Sequence, residues 1–222
     1  MNQKKIAGEK AAEYVKDGMV VGLGTGSTAK FMVDKVGEMV KNGLKIQAVP
    51  TSKATEQQAK ELGIPLLSID EVDHIDLDID GVDEIDSEFN ATKGGGGALF
   101  REKVVADLAK EVIWIMDESK LVDSIGAFPL PLEVLPYGYR IVFKKMEDYG
   151  YNPKMRMKDD ELFVTDNGNY IIDLCIGAPA DIEEIRQKVN SVVGVLETGQ
   201  FLKMCKRIIV GTDEGVKVIE AE

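Results

Sequence analysis

Residues 20–36 read Val-Val-Gly-Leu-Gly-Thr-Gly-Ser-Thr-Ala-Lys-Phe-Met-Val-Asp-Lys-Val. A short β-branched run, Val20–Leu23, is interrupted by Gly22 and followed by Gly24 and Gly26. Apolar residues at helical spacing then follow: Phe31, Met32, Val36, Met39 and Val40. Strand, tight glycine turn and helix in this order open a βαβ unit. The turn also carries chemistry, because a helix start presents unpaired N–H groups and a positive dipole end to an anion. A dinucleotide fingerprint needs Gly where Ser27 stands, and an acidic residue where Pro50-Thr51-Ser52-Lys53 stands. The lysine of a triphosphate-binding loop is missing too, since Ala29 and Lys30 follow Thr28. The loop therefore suits a lone phosphate better than NAD or ATP. The plainer alternative is a tight turn with Ser27 or Thr28 capping the helix.

Outward from this unit the same alternation continues. Residues 4–17 place Ala7, Ala11, Tyr14 and Val15 at helical spacing, ended by Gly18. Lys45–Val49 is a predicted strand stopped by Pro50, Ser52–Leu62 a helix ended by Gly63, and Leu66, Leu67 and Ile69 a further strand. Ile75, Leu77 and Ile79 alternate with Asp76, Asp78 and Asp80; Ala98–Lys110 reads as helix and Val112–Met116 as strand. Strands alternating with helices imply an open, mostly parallel α/β sheet with right-handed crossovers and helices on both faces. After Gly126 the pattern changes. Three prolines argue against a central strand throughout Phe128–Pro136. Strand Leu132–Leu135, helix Tyr137–Tyr149, strands Lys154–Met157 and Tyr170–Ile176, helix Asp181–Val192 and strand Val193–Phe201 give the order βαββαβ, a ferredoxin-like α+β unit. Strands at Arg207–Val210 and Val216–Ile219 close the chain. The expected division is a Rossmann-like domain over 1–126 and 204–222, with the α+β subdomain 127–203 inserted.

Composition bounds the function. Of 222 residues, 44% are hydrophobic and 30% charged, as in an ordinary globular protein. The net charge of −12 argues against nucleic acid or an anionic membrane as partner. An anionic ligand must therefore be held by local positive charge or backbone N–H groups. Cys175 and Cys205 form neither a disulfide framework nor a zinc spacing, and His74 is the one histidine. No metal site is expected. The polar start Met1–Lys10 lacks a signal-peptide core and no apolar run approaches a membrane span, so the chain reads as cytoplasmic.

Three further stretches could carry chemistry. Asp76–Gly81 matches the opening of a calcium loop, but its twelfth position is Ser87 and its apolar residues suit a buried strand. As a strand it delivers Asp80-Gly81-Val82-Asp83-Glu84 to a sheet edge, where carboxylates can move protons between substrate oxygens; a solvated acidic turn is the alternative. Lys93-Gly94-Gly95-Gly96-Gly97 opens a helix, and its N–H groups and lysine could cradle an oxyanion. Helical spacing puts Glu102 on the edge of the stripe Phe100, Val104, Val105 and Leu108. Partial desolvation there would make its carboxylate a stronger base. Asp117-Glu118-Ser119-Lys120 follows a strand and could bring Lys120 to the same crevice. Together these imply proton transfer beside a carbonyl in a phosphorylated small molecule, without metal or nucleotide.

At these residues the chain resembles the type A ribose-5-phosphate isomerases. The shared motifs run in family order: Gly24–Thr28, DGVDE at 80–84, KGGGG at 93–97, REK at 101–103 and DESK at 117–120. FPLPLEVLP at 128–136, VTDNGN at 164–169 and GTDEGVK at 211–217 extend them over essentially the whole chain. The resemblance implies interconversion of ribose 5-phosphate and ribulose 5-phosphate in the pentose phosphate pathway. It implies that Glu102 moves the proton between C2 and C1. It gives Asp80 and Asp83 the sugar hydroxyls, and Lys93 with the N–H groups of Gly94, Gly95 and Gly96 the enediolate oxygen. Thr25, Gly26, Ser27 and Thr28 would hold substrate near its phosphate, with Gly81, Val82 and Lys120 as further contacts. Lys4 would reach the phosphate, with Lys5 as its competitor. The resemblance further implies no cofactor and no metal, and a homodimer or homotetramer. An amino-sugar-phosphate deaminase would need another acid–base set, and a sugar-phosphate sensor would need a basic DNA-binding module that the sequence lacks.

Overall fold

The computed structural model describes residues 2–221. The chain runs α1 (Gln3–Ala12), β1 (Val20–Leu23), α2 (Ser27–Lys41), β2 (Gln47–Pro50), α3 (Lys53–Leu62), β3 (Leu77–Gly81), β4 (Glu84–Ile85) and β5 (Asn90–Thr92). It continues through α4 (Leu99–Leu108), β6 (Val112–Asp117), β7 (Leu130–Val134), α5 (Tyr139–Asp148), β8 (Pro153–Met155), β9 (Met157–Lys158) and β10 (Glu161–Leu162). It ends with β11 (Tyr170–Leu174), α6 (Ile182–Asn190), β12 (Val195–Thr198), β13 (Gln200–Leu202), β14 (Arg207–Thr212) and β15 (Gly215–Glu220). Two compact units result: Met1–Val82 with Arg101–Lys120 and Lys203–Glu222, and Asp83–Phe100 with Leu121–Leu202.

The first unit is built on a six-stranded sheet in the order β15-β14-β6-β3-β1-β2, parallel except for the terminal hairpin strand β15. Period-two alternation sends side chains to both faces. Val21, Leu23, Ala48, Ile79, Ile113 and Ile209 pack with Ala7 and Ala11 of α1 and Met32, Val33 and Val36 of α2. Val49 and Val20 pack on the other face with Val105 and Leu108 of α4. Ser52 caps α3 by accepting from Thr55 N–H, and Gly63 ends it in the left-handed region. Among the described residues, no helix is long and apolar enough to cross a membrane.

The second unit is a four-stranded antiparallel sheet in the order β12-β7-β11-β8, the ferredoxin-like arrangement. Leu130, Leu132 and Val134 pack beneath α5 and α6 through Val142, Met146, Ile185 and Val189. A smaller sheet, β13-β5-β4, belongs to the same unit.

Several elements differ from the sequence reading. Residues 4–17 are helical only to Ala12. Leu66, Leu67 and Ile69 form no strand; Leu66 makes an isolated bridge to Ala48, and Ile69–Glu71 is a 3-10 turn capped by Ser68. Val193–Phe201 divides at Gly199 into strands of two sheets: Gly199 N–H donates to the Pro131 carbonyl at 2.7 Å while its own carbonyl accepts from Lys93 N–H at 2.9 Å, and a Cβ there would stand 2.3 Å from the Lys93 carbonyl oxygen. Pairing of β13 with β5 draws Asp83–Phe100 into the second unit, whereas the sequence division left those residues in the first. Pro131 does lie in an interior strand. It falls just past the last register pair with β12, Thr198–Leu132, and its carbonyl accepts from Gly199 N–H at 2.7 Å.

Candidate active site

In the first unit β6, β3 and β1 are parallel neighbours, so their C-terminal ends share one sheet edge. The chain leaves β1 for β2 on one side and returns to β3 on the other, and open α/β sheets bind ligands at such a reversal. The loop Gly24–Gly26 and the end of β3 meet here. Asp80 is fully buried, and its Oδ1 accepts from Thr25 N–H at 2.8 Å and Gly81 N–H at 2.7 Å. This contact explains Gly24, where a Cβ would stand 2.5 Å from the Asp80 Cα. Gly22 likewise makes room for Asp78 and Val105. Those two glycines admit neighbouring side chains. Gly26 serves the turn itself, with φ at 116° and open space where a Cβ would stand.

Gly26 occupies the cap position of α2, so neither Ser27 nor Thr28 caps that helix by its side chain. Ser27 is exposed and its Oγ accepts from Lys4 Nζ at 3.0 Å. Lys5 instead pairs with Glu9 at 3.8 Å. The Thr25 hydroxyl turns inward. It donates to Ser52 Oγ at 2.8 Å, Ser52 donates to Thr55 Oγ1 at 3.1 Å, and Thr55 donates to the Gly24 carbonyl at 2.9 Å. This hydroxyl chain braces the loop from behind. The sequence reading treated Thr51–Thr55 only as a helix start; the available signal was the cluster Thr51-Ser52-Thr55 just beyond a strand end. Lys120 ends a 3-10 turn directly after β6, and Gly81 and Val82 follow Asp80, all half-buried. Glu102 stands in the first turn of α4 and is 3% exposed, while Val104 is 38% exposed. The sequence placed Glu102 at the edge of the apolar stripe; it lies within the buried face, and Val104 lies outside it.

The second unit holds Asp83 and the glycine loop. Asp83 Oδ2 accepts from Gly95 N–H at 2.7 Å. One of the N–H groups expected to cradle an oxyanion is therefore engaged by Asp83. Lys93 is buried, with Nζ 5.3 Å from the centre of the Phe201 ring. Gly94 has φ at 104°, and Gly97 N–H donates back to the Gly94 carbonyl at 2.9 Å. Arg156, which the sequence reading passed over, donates from Nη1 to the Gly94 carbonyl at 2.7 Å and the Gly95 carbonyl at 3.2 Å. Its Nε and Nη2 engage the Asp173 carboxylate. The signal for this group was a lone charge, Asp173, in the otherwise apolar run Ile171–Leu174.

The likeness to known proteins covers both units. The family model for ribose 5-phosphate isomerase A (phosphoriboisomerase A) matches residues 47–215. Ribose-5-phosphate isomerase A of Streptococcus sanguinis is 53% identical over 221 residues, covering 99% of this chain and 98% of that protein. The protein of the same name from Lactiplantibacillus plantarum is 55% identical over 225 residues, covering 100% and 99%. A solved D-ribose-5-phosphate isomerase in complex with phospho-erythronic acid gives a TM-score of 0.94 at 39% identity, covering 99% of this chain and 100% of that one. A likeness of this extent, in sequence and in fold, means that the chain belongs to the ribose 5-phosphate isomerase A family.

Proposed function

We propose that this chain interconverts D-ribose 5-phosphate and D-ribulose 5-phosphate with Glu102 as the base. The observation that carries the assignment of the base is the burial of Glu102 in the first turn of a regular helix. Burial keeps bulk water from the carboxylate and the helix holds it in one place, as a base that must serve two adjacent carbons requires. The likeness to isomerases, one of them solved with phospho-erythronic acid, supports the choice of substrate.

In this scheme the sugar ring opens to the aldehyde, with Asp80 and Asp83 taking and returning hydroxyl protons. Glu102 removes the C2 proton, and the electron pair moves to form the C1–C2 double bond and a charged O1. Lys93 and the N–H groups of Gly94 and Gly96 stabilise that charge, while Gly95 N–H holds Asp83. A proton then passes from O2 to O1 while Glu102 returns its proton to C1, which yields the ketose. The reaction is redox-neutral and moves only protons, so no electron carrier takes part. Ser27, Thr28 and Lys4 hold the phosphate, with Thr25 and Gly26 shaping their loop and Gly81, Val82 and Lys120 as further contacts. The contact of Lys4 with Ser27 supports Lys4 over Lys5. The same reading makes the chain a cytoplasmic homodimer or homotetramer. The exposed apolar side chains Tyr137, Ile141 and Val193 of the second unit support assembly.

A coupled assay of ribulose 5-phosphate formation tests the proposal. Wild-type turnover is expected to be indifferent to EDTA, and Glu102→Gln is expected to lower kcat by roughly 10²- to 10⁴-fold. Full activity in the variant would remove Glu102 from the role, and strong EDTA inhibition would remove the metal-free scheme.

A further inference from the structure

We infer that Arg156 is a positioning residue that fixes the peptide planes of the glycine loop, and through them Asp83; this rests on the function proposed above. Arg156 is not adjacent in sequence to any residue of the proposed site. Its side chain is 14% exposed and its donors are divided in two. Nε and Nη2 face the Asp173 carboxylate on β11 in a two-pronged contact, which fixes the guanidinium on the sheet. Nη1 is left to reach the carbonyls of Gly94 and Gly95.

The consequence follows from the geometry of a trans peptide, whose C=O and N–H point in opposite directions. The Gly94 carbonyl shares its plane with Gly95 N–H, and the Gly95 carbonyl with Gly96 N–H. A cation on both oxygens therefore turns both N–H groups away from Arg156. It also polarises the two amides, which makes those groups better donors. One of them, Gly95 N–H, donates to Asp83 Oδ2 at 2.7 Å. A relay thus runs from Asp173 through Arg156 and one peptide to Asp83. The other, Gly96 N–H, belongs to the set proposed to meet the enediolate oxygen. Glycine peptides turn easily, so an outside clamp is what keeps this loop in one orientation.

The test compares wild type, Arg156→Lys and Asp173→Asn in the full-length chain. Arg156→Lys keeps a positive charge opposite Asp173, but an ammonium group cannot fork onto a carboxylate and also span two carbonyls. Asp173→Asn keeps the shape and loosens the anchor. Both are expected to lower kcat for ribose 5-phosphate by about 10- to 100-fold while KM changes by less than about threefold. Inhibition by phospho-erythronic acid, whose carboxylate carries charge where the enediolate would, is expected to weaken in proportion to kcat. Wild-type kcat in both variants, or a loss confined to KM, would overturn the inference. So would a kcat loss with undiminished inhibition by phospho-erythronic acid. Inactive wild-type protein would instead be a failure of the proposed function.

Discussion

Asp80 and Glu102 belong to a chain with 39 acidic residues, yet both are buried, whereas Glu183 and Glu38 lie at the surface. Burying a carboxylate is costly unless its surroundings answer it, and Asp80 is answered by two backbone N–H groups. Lys93 presents the same case with opposite sign. Lys93→Ala is expected to lower kcat by about 10²-fold if the amine stabilises the enediolate oxygen. Steady-state kinetics would show it, and an effect on KM alone would make Lys93 a ground-state contact. The cysteines give a second prediction. Burial pushes the Cys205 thiol up to about 12, so almost none of it is thiolate near neutrality. Under native conditions a thiol reagent should modify the half-buried Cys175 first and Cys205 only on unfolding, as mass spectrometry of the labelled chain would reveal. Of the proposed site residues, Lys93, Asp80 and Asp83 stand out in the sequence as charges beside glycines or at a strand end, and Glu102 as a carboxylate beside an apolar helix stripe. Arg156 and the hydroxyls of Thr51–Thr55 left only a faint signal, because their partners lie elsewhere in the chain and only folding brings them together.

At the scale of elements, β1 and β3 are joined twice beyond their ladder. Gly24 lies flat against Asp80, and Asp76 accepts from Val20 N–H at 2.9 Å and from Lys110 at 2.8 Å. Gly24→Ala would set a methyl 2.5 Å from the Asp80 Cα, a backbone atom that cannot swing aside. A loss of roughly 1–3 kcal/mol is expected, with KM raised because the phosphate loop shifts; chemical denaturation and kinetics would measure both. The Asp76 carboxyl is held below its usual range, first by the Lys110 hydrogen bond and then by Val20 N–H. A group depressed by folding stabilises the native state above its unfolded pKa, and that contribution fades as pH falls through the folded value. Wild type should therefore lose stability on acidification below about pH 4 more steeply than Asp76→Asn, in urea melts taken across that range. Most of these elements were legible from period and punctuation. Leu66–Ile69 was not, since a short apolar run cannot be told from a buried turn by periodicity. Val193–Phe201 also misled, since at Gly199 its pairing passes from Pro131 to Lys93, contacts remote in sequence.

On the scale of the whole molecule, the alternation through Met116 was enough to specify the parallel sheet, and the βαββαβ order was enough to specify the second fold. The division between units was less legible, because Asn90–Thr92 takes its partner from Gln200–Leu202. A net charge of −12 also misleads about ligands, since the proposed phosphate site depends on Lys4 and the start of α2 and not on the overall sum. Static light scattering is expected to give a dimer or tetramer, and a monomer would remove the assembly from the proposal. The central claim is that Glu102 carries the proton between two carbons. It is tested most directly with ribose 5-phosphate deuterated at C2, following loss of the label by NMR. Glu102→Gln should bind phospho-erythronic acid as wild type does, yet release deuterium from C2 at least about 10²-fold more slowly. Release from C2 at the wild-type rate in that variant would contradict the account.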